Sequence, residues 1–293
     1  MGRVWKPIKI LIWILALSVV SPGAEKKPWK DATLQVGDIK IHYIETGSGD
    51  RALVFIPGWT MVAEVWREQL PYFAARGFHV YALDMRSQGQ TTKSEGGNTY
   101  HQQAADLHAF LKTLKIERAS LVGWAAGVTT LLEYVSSPES LQPEKLVFVD
   151  GTPCGFKDND YPHGATLQQA RAFLLSMQDD RQKATEQYVR GMFKVTQPGL
   201  VLTEIISGSL KTPLGSAMSL FFDAYTGDRR PALARVPVPS LILVPEEHRL
   251  LGEYMQSKIQ RSKLEVVPES GPAIILDKPQ TFNQLVETFL GEN

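Results

Sequence analysis

The chain has 293 residues, 43% of them hydrophobic, and 31 basic residues against 31 acidic ones. It is long enough to bury one large core, and the balanced charge argues against nucleic acid as a partner. A single cysteine, Cys154, excludes an intrachain disulfide and a thiolate metal cluster.

Residues 1–24 have the order of a targeting segment. Arg3, Lys6 and Lys9 precede an apolar run from Ile10 to Val20, and the small residues Ser21-Pro22-Gly23-Ala24 follow. An eleven-residue run is short for a membrane span. The sequence therefore predicts a signal peptide cleaved after Gly23 or Ala24, or else an uncleaved N-terminal anchor. Only the anchor would give membrane contact. Either way the expected destination is the periplasm or outside. Removing three of the 31 basic residues leaves a mildly acidic chain.

Thr33–Val36 and Ile39–Ile44 alternate around Gly37-Asp38, a hairpin signal. Ala52–Ile56 is a continuous apolar run, as in a buried parallel strand, and ends in Pro57-Gly58-Trp59-Thr60. A helix is predicted from about Ala63 to Ala75. The strand His79–Leu83 runs into Asp84-Met85-Arg86-Ser87-Gln88-Gly89-Gln90-Thr91, and Tyr100–Leu114 has helical spacing.

Ala119–Trp124 then predicts a strand, Gly123 and Gly127 a sharp turn, and Val128–Tyr134 a helix. Lys145–Val149 is the next strand and leads into Asp150-Gly151-Thr152-Pro153. Residues 154–228 show helical segments and no convincing strand. Strands resume at Val238–Val244 and Leu264–Val267, and Thr281–Leu290 closes the chain as an amphipathic helix. Alternating strands and helices imply an α/β fold with a mostly parallel, doubly wound sheet. The core would span 30–153 and 229–293, with 154–228 as a helical cap insertion.

Strand, tight turn and helix around Gly123-Trp124-Ala125-Ala126-Gly127 resemble the G-x-S-x-G nucleophile elbow of the α/β-hydrolase fold. From Thr33 to Leu290 the chain is similar to the group of that superfamily that holds esterases, lactonases and cofactor-free haloperoxidase-like enzymes. Ile56-Pro57-Gly58-Trp59 stands at the oxyanion loop, and Asp84–Thr91 resembles the D-x-R-G-x-G-x-S turn.

The resemblance also marks departures. Ala125 occupies the nucleophile position, and a methyl group cannot attack a carbonyl. Pro272 stands where the base histidine is expected, and His248 where the acid is expected. Asp150 and Glu247 are candidate acid relics. The triad is thus expected to be degenerate, with no catalytic position intact. The backbone N–H groups of Trp59 and Ala126 could still form an oxyanion-type donor pair, with Trp59 and Trp124 as apolar walls.

The leading expectation is a non-catalytic binder of a small apolar carbonyl or carboxylate compound, with no cofactor and no metal. One alternative is an ester- or lactone-type hydrolase with relocated residues, in which His248 or His163 works with Glu247 or Asp150. Another is a protein-interaction module. His248 reads first as a solvated loop histidine, and Cys154 as buried and inert. His42, His79, His101 and His108 read as structural, as do Asp84 and Arg86.

Overall fold

The computed structural model describes residues 1–2 and 27–292. Most of the targeting segment expected at 1–24 lies outside them. Among the described residues no helix is long and apolar enough to cross a membrane.

Eight strands form one sheet: β1 (Lys30–Val36), β2 (Ile39–Thr46), β3 (Arg51–Ile56), β4 (Phe78–Leu83), β5 (Ala119–Trp124), β6 (Lys145–Val149), β7 (Ser240–Pro245) and β8 (Ser262–Val267). Their spatial order is β1-β2-β4-β3-β5-β6-β7-β8. β1 and β2 pair antiparallel, as do β2 and β4, and the remaining pairs are parallel. The apolar runs of β3, β5 and β7 lie in the parallel part. Successive side chains of β3 face opposite sides: Leu53 and Phe55 join one buried cluster, Val54 and Ile56 the other.

The helices in chain order are α1 (Leu70–Ala74), α2 (Tyr100–Thr113), α3 (Ala126–Ser136), α4 (Leu167–Asp179), α5 (Arg181–Arg190), α6 (Gly199–Leu210), α7 (Leu214–Thr226), α8 (Arg230–Leu233), α9 (Arg249–Lys258), α10 (Ile274–Asp277) and α11 (Pro279–Gly291). Leu107 and Phe110 of α2, Leu131 and Leu132 of α3 and Met255 of α9 cover one face of the sheet. Phe73 of α1, Ile275 of α10 and Phe282 and Val286 of α11 cover the other.

The single helix expected from Ala63 to Ala75 is broken. A 3₁₀ turn spans Ala63–Trp66, and α1 starts afresh with Pro71 in its first turn. Proline has no N–H to continue a helix and is tolerated only near its start. The Ala63 N–H instead donates to Asp84 Oδ1 at 2.7 Å.

Between β6 and β7 stand α4 to α8. Their buried residues Ala170, Met177, Ala184, Leu220 and Phe221 form a third apolar cluster with Trp59 and Tyr100. Trp59 thus reaches up from the β3 loop, and its Nε1 donates to the Ala217 carbonyl at 2.8 Å.

Candidate functional site

β5 ends at Trp124, α3 begins at Ala126, and Ala125 makes the whole turn with φ 50° and ψ −116°. A positive φ on a residue with a β-carbon costs on the order of 1–3 kcal/mol and persists where the surroundings over-determine it. The surroundings here are tight. A β-carbon on Gly127 would come within 2.5 Å of the Ile56 carbonyl oxygen, so α3 crosses β3 at backbone contact. One on Gly151 would come within 2.4 Å of the Ala125 carbonyl oxygen, so the loop after β6 presses on the elbow. The elbow therefore keeps its strained shape with an alanine at its tip.

The loops after β6 and β7 bring Asp150 and His248 together. Asp150, φ 43°, donates its N–H to the Leu243 carbonyl of β7 at 2.8 Å. Its carboxylate is 4% exposed and lies 2.7 Å from Nδ1 of His248. With Asp150 ionised, its oxygen can only accept, so Nδ1 carries the hydrogen and Nε2 keeps a lone pair. Burial pushes the Asp150 carboxyl above its usual range. The hydrogen bond to Asp150 pushes the imidazole above its ordinary value despite the opposing pull of burial. The pair therefore holds its shared proton more tightly than either group would in water.

Ala125, Asp150 and His248 all line one cavity of about 350 Å³. A second chamber, about 370 Å³, shares Ala125, Phe173, Tyr188 and Pro272 with it. The two chambers meet at the elbow. Trp59, Phe173, Tyr188, Phe221 and Tyr225 give the first chamber ring-lined walls, with Trp59 5.2 Å from Tyr188 and Phe221 4.1 Å from Tyr225. The N–H groups of Trp59 and Ala126 have no backbone acceptor among the described residues. Both residues line the first chamber with Ala125.

The other candidates separate. His248 keeps a side chain 41% exposed, as expected of a loop histidine, but a fixed carboxylate also faces it. Glu247 is exposed and lines an outer groove together with His248, not the chambers beside Ala125. Pro272 lies between the chambers, and its carbonyl accepts from Trp124 Nε1 at 2.9 Å. Trp124 is a wall of the second chamber. His163 lines the first chamber and rests on the rings of Tyr161 and Tyr254 at 5.2 and 5.7 Å, where burial lowers its pKa. Cys154 is buried, with Sγ bonded to the Phe156 carbonyl, and does not line either chamber. His42 is locked between Asp84 and Asp31 at 2.8 and 3.2 Å. Among the described residues no cluster of three or more His, Cys, Asp or Glu side chains is placed to hold a metal.

A model of the alpha/beta hydrolase family matches residues 53–285. The chain belongs to the alpha/beta hydrolase family. Within it, the AB hydrolase superfamily protein YisY of Bacillus subtilis is 25% identical over 256 residues, 84% of this chain and 94% of its own. A non-heme chloroperoxidase of Kitasatospora aureofaciens is 23% identical over 268 residues, 87% and 97% of the two chains. Among solved structures, an esterase of Exiguobacterium antarcticum superposes with a TM-score of 0.85 at 22% identity, covering 90% of this chain and 100% of that one. That likeness shows the hydrolase fold.

Proposed function

We propose that this alpha/beta hydrolase cleaves a small apolar ester or lactone by direct attack of water, with His248 as general base. The carrying observation is the 2.7 Å His248–Asp150 contact in the wall of the cavity that holds Ala125. Nε2 of His248 takes a proton from water as the water oxygen adds to the substrate carbonyl carbon. The carbonyl oxygen becomes an anion and accepts from the Trp59 and Ala126 N–H groups. Collapse expels the alkoxide, which recovers the proton from His248, leaving an acid and an alcohol. Asp150 keeps the imidazole in its tautomer and stabilises the imidazolium. General base catalysis contributes about 10²–10⁴-fold, so turnover should be modest beside that of a serine hydrolase.

The non-catalytic binder accounts for Ala125 and Pro272 but leaves the Asp150–His248 pair without a role. A protein-interaction module predicts a filled site, and the open chambers at Ala125 count against it. Export rests on the Arg3–Ala24 segment and is proposed on that ground.

The test compares wild type with Ala125→Gly on phenyl acetate and a small lactone. Saturable hydrolysis by both proteins is expected, because the methyl is not a reactant. Wild-type protein without saturable turnover would restore the binder.

A further inference from the structure

We infer that the first chamber takes a planar aryl carbonyl compound carrying a hydrogen-bond acceptor at its far end, and that the Tyr100 hydroxyl receives that acceptor. The substrate class builds on the proposed hydrolysis, because the aryl carbonyl would be the group that water attacks over Ala125.

The first observation is the chamber's shape and lining. Phe173 and Phe221 stack at 5.2 Å, Phe221 stacks on Tyr225, and Trp59 meets Phe173 edge-on at 5.6 Å. Walls made of aromatic rings favour a flat ring over a puckered one of equal carbon count. An apolar cavity of about 150 Å³ already holds benzene, so about 350 Å³ leaves room for a substituted ring.

The second observation is an orphaned donor. Tyr100 lines the chamber and is 1% exposed, yet its hydroxyl has no hydrogen-bond partner among the described residues. A buried polar atom left unmatched is costly, and an acceptor on a ligand relieves that cost. The residue is held firmly: its N–H donates to Asp223 Oδ2 at 2.8 Å, and the Arg229 guanidinium lies 5.8 Å from its ring. Tyr100 opens α2, which follows β4, and His248 follows β7. The sheet order puts these strands on opposite flanks of the elbow strand β5. A ligand with its carbonyl at Ala125 can therefore turn its far end away from His248 and toward Tyr100.

The experiment uses unreactive ketones, so it reads binding whether or not the protein hydrolyses esters. Calorimetry on the full chain compares acetophenone with methyl cyclohexyl ketone, and para-methoxyacetophenone with para-ethylacetophenone. The aryl ketone should bind about tenfold more tightly than the cyclohexyl one. The methoxy compound should beat the ethyl compound about fivefold, and Tyr100→Phe should erase that preference while leaving the ethyl compound's Kd in place. A purely structural Tyr100 would leave the preference untouched. Equal affinities for the first two ketones overturn the ring-binding claim. Equal affinities for the second two in wild type, or a preference that survives in Tyr100→Phe, overturn the anchor. Ketone binding as expected with no ester turnover would leave this inference standing and remove only the hydrolytic one.

Discussion

Asp150 and His248 are 98 residues apart in sequence and 2.7 Å apart in space, because each follows one of two neighbouring parallel strands. β6 and β7 pair in register from Leu146 with Ser240 to Val149 with Leu243. The Asp150 N–H extends that ladder by one more bond to the Leu243 carbonyl. The sheet therefore fixes the carboxylate, and the carboxylate fixes the imidazole.

This pairing sets a pH dependence. His248 must be neutral to accept a proton, and its folded value lies above the ordinary 6.5. The rate should be low in acid, rise through an inflection above 6.5 and then level off. Asp150→Asn removes the hydrogen-bonded anion that raises the imidazole. The inflection should move down in pH and the plateau should fall by about 10²-fold. A pH–rate profile of the two proteins checks both. For stability the sign is opposite: the protonated pair helps the fold below the unfolded histidine value and stops helping as pH rises through the folded one.

Ala125→Ser should by itself create an acyl-enzyme route. The elbow already has the strained backbone of a nucleophile position, and a histidine–carboxylate pair faces the same cavity. Stopped-flow assay with an activated aryl ester should show a burst of about one product equivalent per protein. Adding His248→Asp and Pro272→His, the change that restores the family pattern, dismantles the existing pair and should give no larger burst than the single variant.

Asp84 is the brace beneath the oxyanion loop. Its carboxylate accepts from the Ala63 N–H at 2.7 Å, from the Gln90 N–H at 2.7 Å and from His42 at 2.8 Å, and it is fully buried. Asp84→Ala would orphan the buried Ala63 amide and strip the Gln90 amide and the buried His42 ring of their acceptor, and should destabilise by about 3 kcal/mol. Denaturant titration measures this. Burial pulls His42 down, but the hydrogen bond and charge of Asp84 raise its folded pKa above 6.5 overall. Its contribution is thus complete below the unfolded value and is lost as pH rises through the folded one. That slope should vanish in the variant.

Arg229 ties α7 to α3. It donates to Glu133 of α3 at 2.8 Å and to the Asp223 carboxylate of α7 at 2.9 Å, and it is 7% exposed. Arg229→Met leaves both carboxylates without their cation and should cost about 3 kcal/mol. Because Asp223 also holds the Tyr100 N–H, KM should rise while the His248-dependent inflection stays put.

The sheet was legible because its signals are local. The apolar runs of β3, β5 and β7 and the glycines at Gly123 and Gly127 report burial and close approach at the residues that carry them. Asp150 and His248 are each visible as candidates, and their pairing is one of the alternatives the sequence leaves open, but nothing local chooses it over His163 or Glu247. The family pattern puts the base at Pro272 and the acid either where His248 stands or at Asp150, so it does not point to His248 as the base. Tyr100 was missed as a site residue because it reads as one apolar helix position among several. Its unmatched hydroxyl exists only once Tyr100 packs against the apolar residues of α4 and α7. The break at residues 67–69 was legible in principle, since Pro71 just after it restarts a helix.

The decisive measurement is kcat/KM for phenyl acetate in wild type and His248→Gln at a pH above the wild-type inflection. Glutamine keeps a polar side chain of similar reach but cannot take up the proton. The expected result is a loss of about 10²-fold or more in the variant, with its far-ultraviolet circular dichroism unchanged. Equal values in the two proteins would contradict the assignment of His248 as the base.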